Sequence, residues 1–237
     1  PLINTLDSLT QYCTLIDSIN SESENFSYQS PLLSLPLLFQ TRVESIPAQN
    51  PYLTCDEAKR SQFASRLGVS KGLRVGMVWN GGFRADHPEL WAVNKRRNIE
   101  LERIAKLKDI PGVVFYSLQK GDPAEAELIS KKEALWPGIV NCVQWLDDFS
   151  DTAALIENLD LIISVDTSTA HLAGALGKPV WILNRYDSCW RWLRGRSDSP
   201  WYPSAKIYQQ SEPGNWDSVL DQVKVDLSAL ALNHLNQ

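Results

Sequence analysis

The chain has 237 residues, 43% hydrophobic and 22% charged, with a formal net charge of −5. Such a composition supports a sizeable globular core and excludes a disordered tail. Lys and Arg are spread without a long basic tract, which argues against a nucleic-acid partner, and four scattered cysteines with three histidines offer no zinc-ligand spacing.

The cysteines, Cys13, Cys55, Cys142 and Cys189, form no CxxC pair, so a reduced, cytoplasmic setting is expected. No apolar run reaches the ~18 residues that a membrane span needs, and no signal-peptide pattern opens the chain. Residue 1 is Pro rather than Met, so the chain is expected to be part of a longer one.

In chain order, SLTQYCTLIDSI (8–19) has helical spacing and SESENFSYQ (21–29) is a polar loop. Pro31, Pro36, Pro47 and Pro51 break the apolar stretch 31–53 into pieces expected to be extended. DEAKRSQFASRLG (56–68) reads as a helix closed by Gly68. Residues 1–70 thus look like the tail of a preceding domain and a linker.

From there strand-like blocks at 73–79, 113–118, 160–165, 179–183 and 205–210 alternate with helical spacing at 99–107, 123–134, 151–158 and 168–176. That order predicts βαβ units: an α/β, Rossmann-like parallel sheet, covered by helices on both faces, over residues 71–215. Residues 216–237 predict a closing helix, periodic over 216–235.

Three polar clusters fall at strand ends. The first is DTSTAH: Asp166, Thr167, Ser168 and Thr169 stand where a helix begins, with His171 in its first turn. Unpaired N–H groups and the helix dipole favour an anion there, and the hydroxyls add donors without negative charge. Ordinary capping by Thr167 or Ser168, with His171 satisfied by its neighbours, accounts for the same residues equally well. GALGKP is no P-loop, because Gly177 ends a helix instead of opening one.

The second cluster, residues 78–98, follows the first strand and is too polar and Gly-rich to be helical throughout. Asn80 stands at the strand end, Gly81 and Gly82 permit close backbone approach, and Lys95, Arg96 and Arg97 are able to counter a diphosphate or simply to form a solvated helix entry. The third, SLQKGDP, sets Gln119 and Lys120 at another strand end. In a parallel sheet these clusters share one rim, which points to a site for a nucleotide or another phosphorylated ligand.

VGMVWNGG, KRRNIEL, FYSLQKG, ISVDTSTAHLAGALGKPVWIL and DSCWRWLRGRSDSPWYPSAKIYQQ, together with PLLSLP and IPAQNPYL, resemble the glycosyltransferase domain of bacterial tetratricopeptide-repeat proteins. That domain is similar to the ADP-heptose:lipopolysaccharide heptosyltransferases. The resemblance spans roughly residues 30–210 and rests on the order and spacing of the motifs. It implies the GT-B fold, in which two Rossmann-like domains face across a cleft and the C-terminal one holds the nucleotide-sugar donor. Residues 1–70 then correspond to a remnant of the N-terminal domain with a linker. The acceptor's catalytic base, an N-terminal-domain Asp in the heptosyltransferases, is expected to lie outside this chain.

The resemblance also places Asp166, Thr167 and His171 around the donor diphosphate, and makes Lys120 the residue that neutralises the leaving nucleotide. Expected catalytic residues are therefore Lys120 and His171. Expected substrate-binding residues are Asn80, Gly81, Arg97, Gln119, Asp166, Thr167, Ser168 and Thr169. No metal and no cofactor are expected: the nucleotide-sugar is a substrate, its base unknown, and no DxD-like carboxylate pair stands beside the rim. The expected partners are that donor, a protein or glycan acceptor and a tetratricopeptide-repeat region. Asp147, Asp148 and the segment around Trp190 are candidates for the ribose or base, and the aromatics of WRWLRGRSDSPWYP either wall a sugar or base pocket or pack the domain against a neighbour. Two other readings use the same residues: a non-catalytic interaction module that keeps the half-fold, and a nucleotide-sugar epimerase, which shares the two-domain architecture.

Overall fold

The computed structural model describes residues 5–6, 9–11, 13–14, 27–83 and 85–236. Most of the helix expected over residues 8–19 and of the loop 21–29 lies outside the described residues.

Six strands build one parallel sheet: β1 (Leu73–Val78), β2 (Val113–Ser117), β3 (Val140–Asn141), β4 (Leu161–Val165), β5 (Val180–Asn184) and β6 (Ala205–Gln209). Their order is β3-β2-β1-β4-β5-β6, with Gly76 opposite Tyr116 on one side and Ile162 on the other. The strands carry alternating faces, as a pleat requires. Leu161, Ile163 and Val165 enter one core with α8 (Trp216–Leu235), while Ile162 enters the other. There it meets α6 (Phe149–Glu157) and α7 (Ser168–Ala175). Burial on both faces accounts for the almost continuous apolar runs of these strands.

Helices end where the backbone chemistry dictates. Asp56 accepts from the Lys59 amide at 2.7 Å and opens α2 (Glu57–Leu67), which Gly68 closes. Asp148 accepts from the Ser150 and Asp151 amides at 2.7 and 3.0 Å, so α6 begins at Phe149, two residues before the expected start. Gly177 at φ +72° turns the chain after α7: its N–H donates to the Gly174 carbonyl, and Lys178 N–H to that of Ala173. These two bonds complete a Schellman turn.

Two expectations are corrected and one is refined. The segment 31–53 is not simply extended, since short helical turns form at Leu32–Ser34, α1 (Leu35–Leu38) and Val43–Ser45; Pro36 sits in the first turn of α1, where its missing N–H costs nothing. The polar stretch 78–98 is, as expected, not helical throughout, but Lys95, Arg96 and Arg97 form the last turn of a helix, α3 (Trp91–Arg97), rather than the entry to one. The span 99–107 splits into α4 (Leu101–Ile104) and a 3₁₀ turn at Ala105–Leu107. The remaining long helix, α5 (Ala124–Leu135), and the two-residue β3 complete the crossovers between β2 and β4.

Candidate functional site

Strand order sets the site. β1 leads to β2 on one side while β4 lies on its other side, so the connections diverge between β1 and β4. In open parallel sheets the crevice beyond the carboxyl ends of the strands at such a switch point is where ligands bind. A cavity of 340 Å³ opens there, its walls drawn from the ends of β1, β2 and β4 and from the start of α6.

Gln119 organises the β1 wall. Past Val78 the strand leaves its ladder, and the buried Gln119 amide replaces the lost partners. Its Oε1 accepts from the Trp79 and Asn80 amides at 3.1 and 2.9 Å, and its Nε2 donates to the Asn80 carbonyl at 3.1 Å. The chain end so fixed places Asn80 on the cavity wall, and its Oδ1 is buried with no hydrogen-bond partner among the described residues. A buried acceptor left unpaired costs about 1–3 kcal/mol, which a ligand donor recovers.

The opposite wall is the start of α7. Thr167 is its N-cap, yet no side chain caps the helix. Ser164 Oγ donates to the Val165 carbonyl at 2.7 Å, so the Thr167 hydroxyl, 2.9 Å away, turns its proton inward to Ser164. The first helical N–H to return to the chain is that of His171, to the Thr167 carbonyl at 3.3 Å. No acidic residue stands in the first turn, and the Asp166 carboxylate just before the cap is turned to His171, so the positive end of the helix faces the cavity. Thr167, Ser168 and Thr169 all line this wall.

Lys120 supplies the third wall. Its Nζ donates to the Leu146 carbonyl, and among the described residues it is the one cation lining the cavity. Facing it are Asp147 and Asp148. Asp148 is committed to the α6 cap and lies 3.6 Å from Lys59 Nζ, which itself pairs with Asp151 at 2.7 Å. The carboxylate of Asp147 is exposed.

Six expected site residues thus meet on one cavity: Asn80, Gln119, Lys120, Thr167, Ser168 and Thr169. Gln119 serves it indirectly, because its amide is spent on the backbone of residues 79–80. Four others stand apart. Arg97 reaches under the rim, donating to the Asp166 carbonyl at 2.9 Å and to Asn94 Oδ1 at 2.7 Å. Gly81 makes room for that guanidinium: a Cβ there would lie 1.9 Å from Arg97 Nη2. Its glycine character serves Arg97 packing rather than ligand approach, and Gly82 is the glycine on the cavity wall.

His171 also turns from the cavity, because partners distant in sequence hold its ring. It stacks on Trp192 with centroids 4.9 Å apart, Nδ1 lies 3.0 Å from the Tyr202 hydroxyl, and Nε2 lies 3.6 Å from Asp166 Oδ1. Burial pushes the Asp166 carboxyl up, but the adjacent His171 and Trp192 side chains and the charges of His171 and Arg97 outweigh it and hold the group below its ordinary range. The α6 wall carries its own signal in the sequence: Asp148 and Asp151 form a capping box immediately before an apolar run.

Residues 113–215 match the profile of glycosyltransferase family 9 (heptosyltransferase). Protein FlbA of Caulobacter vibrioides is 31% identical over 201 residues, 83% of this chain and 32% of that protein. A family 9 glycosyl transferase from Veillonella parvula is 20% identical with a TM-score of 0.50, over 76% of this chain and 53% of its own, which shows a shared fold. Escherichia coli ADP-heptose lps heptosyltransferase II is 17% identical, TM-score 0.49, over 76% of this chain and 53% of its own. The chain therefore spans about a third of the curated relative and about half of the solved ones. Across residues 113–215, which supply the β2, β4 and α6 walls of the cavity, this chain is similar to glycosyltransferase family 9 (heptosyltransferase).

Proposed function

We propose that this chain is the donor-binding domain of a glycosyltransferase and that the switch-point cavity holds the diphosphate of a nucleotide-sugar. The observation carrying this reading is the convergence of an uncapped helix start, Lys120 and the unpaired Asn80 Oδ1 on one cavity, over the segment that matches family 9. An acceptor hydroxyl attacks the anomeric carbon; the bond to the diphosphate breaks and its electron pair stays on the departing oxygen. The amides of Ser168 and Thr169 and the Lys120 ammonium meet that growing negative charge, a positive field with which no divalent metal is needed. Lys120 exchanges its bond to the Leu146 carbonyl for the phosphate oxygens. His171 acts from behind, holding Asp166 at the root of α7.

The acceptor is a protein or glycan, and its base comes from outside the described residues. In the full protein the domain adjoins a tetratricopeptide-repeat region. It works in the cytoplasm, a setting consistent with the free thiols of Cys13, Cys55, Cys142 and Cys189; no helix among the described residues is long and apolar enough to cross a membrane. Calorimetric titration of the folded chain with UDP, ADP and GDP and their sugars is expected to show one saturable site that chooses among the bases. Absence of heat with all of them, from protein with a native melting transition, refutes the reading. The rival reading of an interaction module draws on the exposed Leu37, Leu38 and Phe39, and it predicts that silent titration.

A further inference from the structure

A second cavity, of 190 Å³, opens on the other side of His171. Its walls are aromatic: Trp190, Trp201 and Tyr202 from the long connection after β5, with Leu32, Leu33 and Pro36 closing the far side. Trp190 is 52% exposed although its neighbours Trp192 and Tyr202 are 1% and 8% exposed, so a tryptophan face is held open to solvent on a rigid base. The rings of Trp190 and Trp201 meet nearly at right angles with centroids 6.0 Å apart, which forms a corner. The polar groups sit at its margin. The Arg191 guanidinium lies 5.0 Å from the Trp190 ring centroid and, among the described residues, donates a hydrogen bond only to the weak acceptor Cys189 Sγ at 3.2 Å, while the Tyr202 hydroxyl and His171 Nδ1 face each other at 3.0 Å.

We propose that this corner is a subsite for a pyranose ring. A pyranose has apolar C–H faces, which stack on indole, and a belt of hydroxyls, which need donors and acceptors at the edge. An aromatic corner rimmed by a guanidinium and a Tyr–His pair supplies both, and its volume suits a single ring better than a base joined to a ribose. Position agrees. His171 stands three residues along α7 from Ser168 of the diphosphate cavity, about 4.5 Å along the helix axis. The ring is the sugar of the donor or that of a saccharide acceptor. The proximity argument rests on the diphosphate reading above; the aromatic chemistry does not.

Saturation-transfer NMR on the whole chain separates these cases, using UDP, ADP and GDP, the matching nucleotide-sugars, and methyl glycosides of glucose, mannose, galactose and N-acetylglucosamine. For a donor subsite, saturation reaches the sugar protons of a nucleotide-sugar, and Trp190→Ala weakens that ligand at least tenfold while nucleoside-diphosphate affinity stays within twofold. For an acceptor subsite, a methyl glycoside binds, and Trp190→Ala and Arg191→Gln each reduce its binding at least fivefold while leaving nucleotide-sugar affinity within twofold. Trp190 is half-exposed, so its replacement leaves the core intact, and an unchanged melting curve checks this. Nucleoside diphosphate binding without saturation of any sugar overturns the subsite and leaves the diphosphate reading standing. Glycoside binding with no nucleotide bound does the reverse. A dimer that Trp190→Ala abolishes, with no sugar bound, assigns the corner to protein contact and also overturns the proposal.

Discussion

Replacing Gln119 with Met tests whether the site's geometry is built by one buried amide. Met keeps the volume and removes both hydrogen-bonding ends, so three backbone groups lose partners now at 3.1, 2.9 and 3.1 Å. At about 1 kcal/mol each the loss is about 3 kcal/mol, and it rises toward about 5 kcal/mol where a group stays dry. Trp79 is fully buried, so water has no ready path to its N–H and the upper half of that range is expected. In urea, with a slope of about 3 kcal/mol/M for a chain of this size, the midpoint falls by about 1.3–1.7 M. Hydrogen exchange supplies the local readout: the Trp79 and Asn80 amides lose protection while those of Ile162 and Ile163 in β4 change only with global stability. A midpoint shift below about 0.3 M, or unchanged protection at Trp79, refutes the claim that Gln119 holds the β1 end.

Three further outcomes follow from the same geometry. Lys120→Gln keeps the stem and removes the charge; nucleoside-diphosphate affinity by calorimetry falls about 10–100-fold, the value of a charge-assisted bond of about 1.5–3 kcal/mol, and the melting temperature stays put. The folded-state pKa of Asp166 is depressed, so its stabilisation is present in full above the ordinary value of 3.8 and is lost as pH falls through the lower folded value. Urea midpoints taken from pH 6 to pH 2 should therefore fall less steeply on the acid side in Asp166→Asn than in the parent. Asp148→Ala removes two cap bonds, at 2.7 and 3.0 Å, and one contact to Lys59; it costs about 1–2 kcal/mol by chemical denaturation, and a change under about 0.3 kcal/mol contradicts the assigned cap.

Much of the site was legible in the sequence because its parts are local. Glycine-rich and hydroxyl-rich turns at the ends of β-branched blocks mark strand ends, and a parallel sheet puts all such ends on one rim; Asn80, Lys120 and Ser168 were placed together on that basis, and the cavity joins them. The same turns point Gly81 and His171 to ligand contact, and there the tertiary structure differs. Gly81 is small for the sake of Arg97, sixteen residues on, and His171 is drawn to Trp192 and Tyr202, twenty-one and thirty-one residues on. The helix α3 hid within a polar stretch because its surface is solvated and its tertiary anchors, Arg96 to Asp187 and Arg97 to the Asp166 carbonyl, come from other loops.

The alternation of strand and helix, the two-sided burial of the strands and the identity of the helix caps were decided by the amino-acid order alone, since each depends on neighbours within a turn or two. Which strands lie side by side was decided by the folded chain: β4 packs beside β1, across more than eighty residues, and that single adjacency opens the crevice. Hydrophobic period and capping are short-range properties written into every few residues. A partner for a buried amide, a ring for His171 or a neighbour for β1 depends on which surfaces meet when both faces of the sheet are covered, and that is a property of the packed whole.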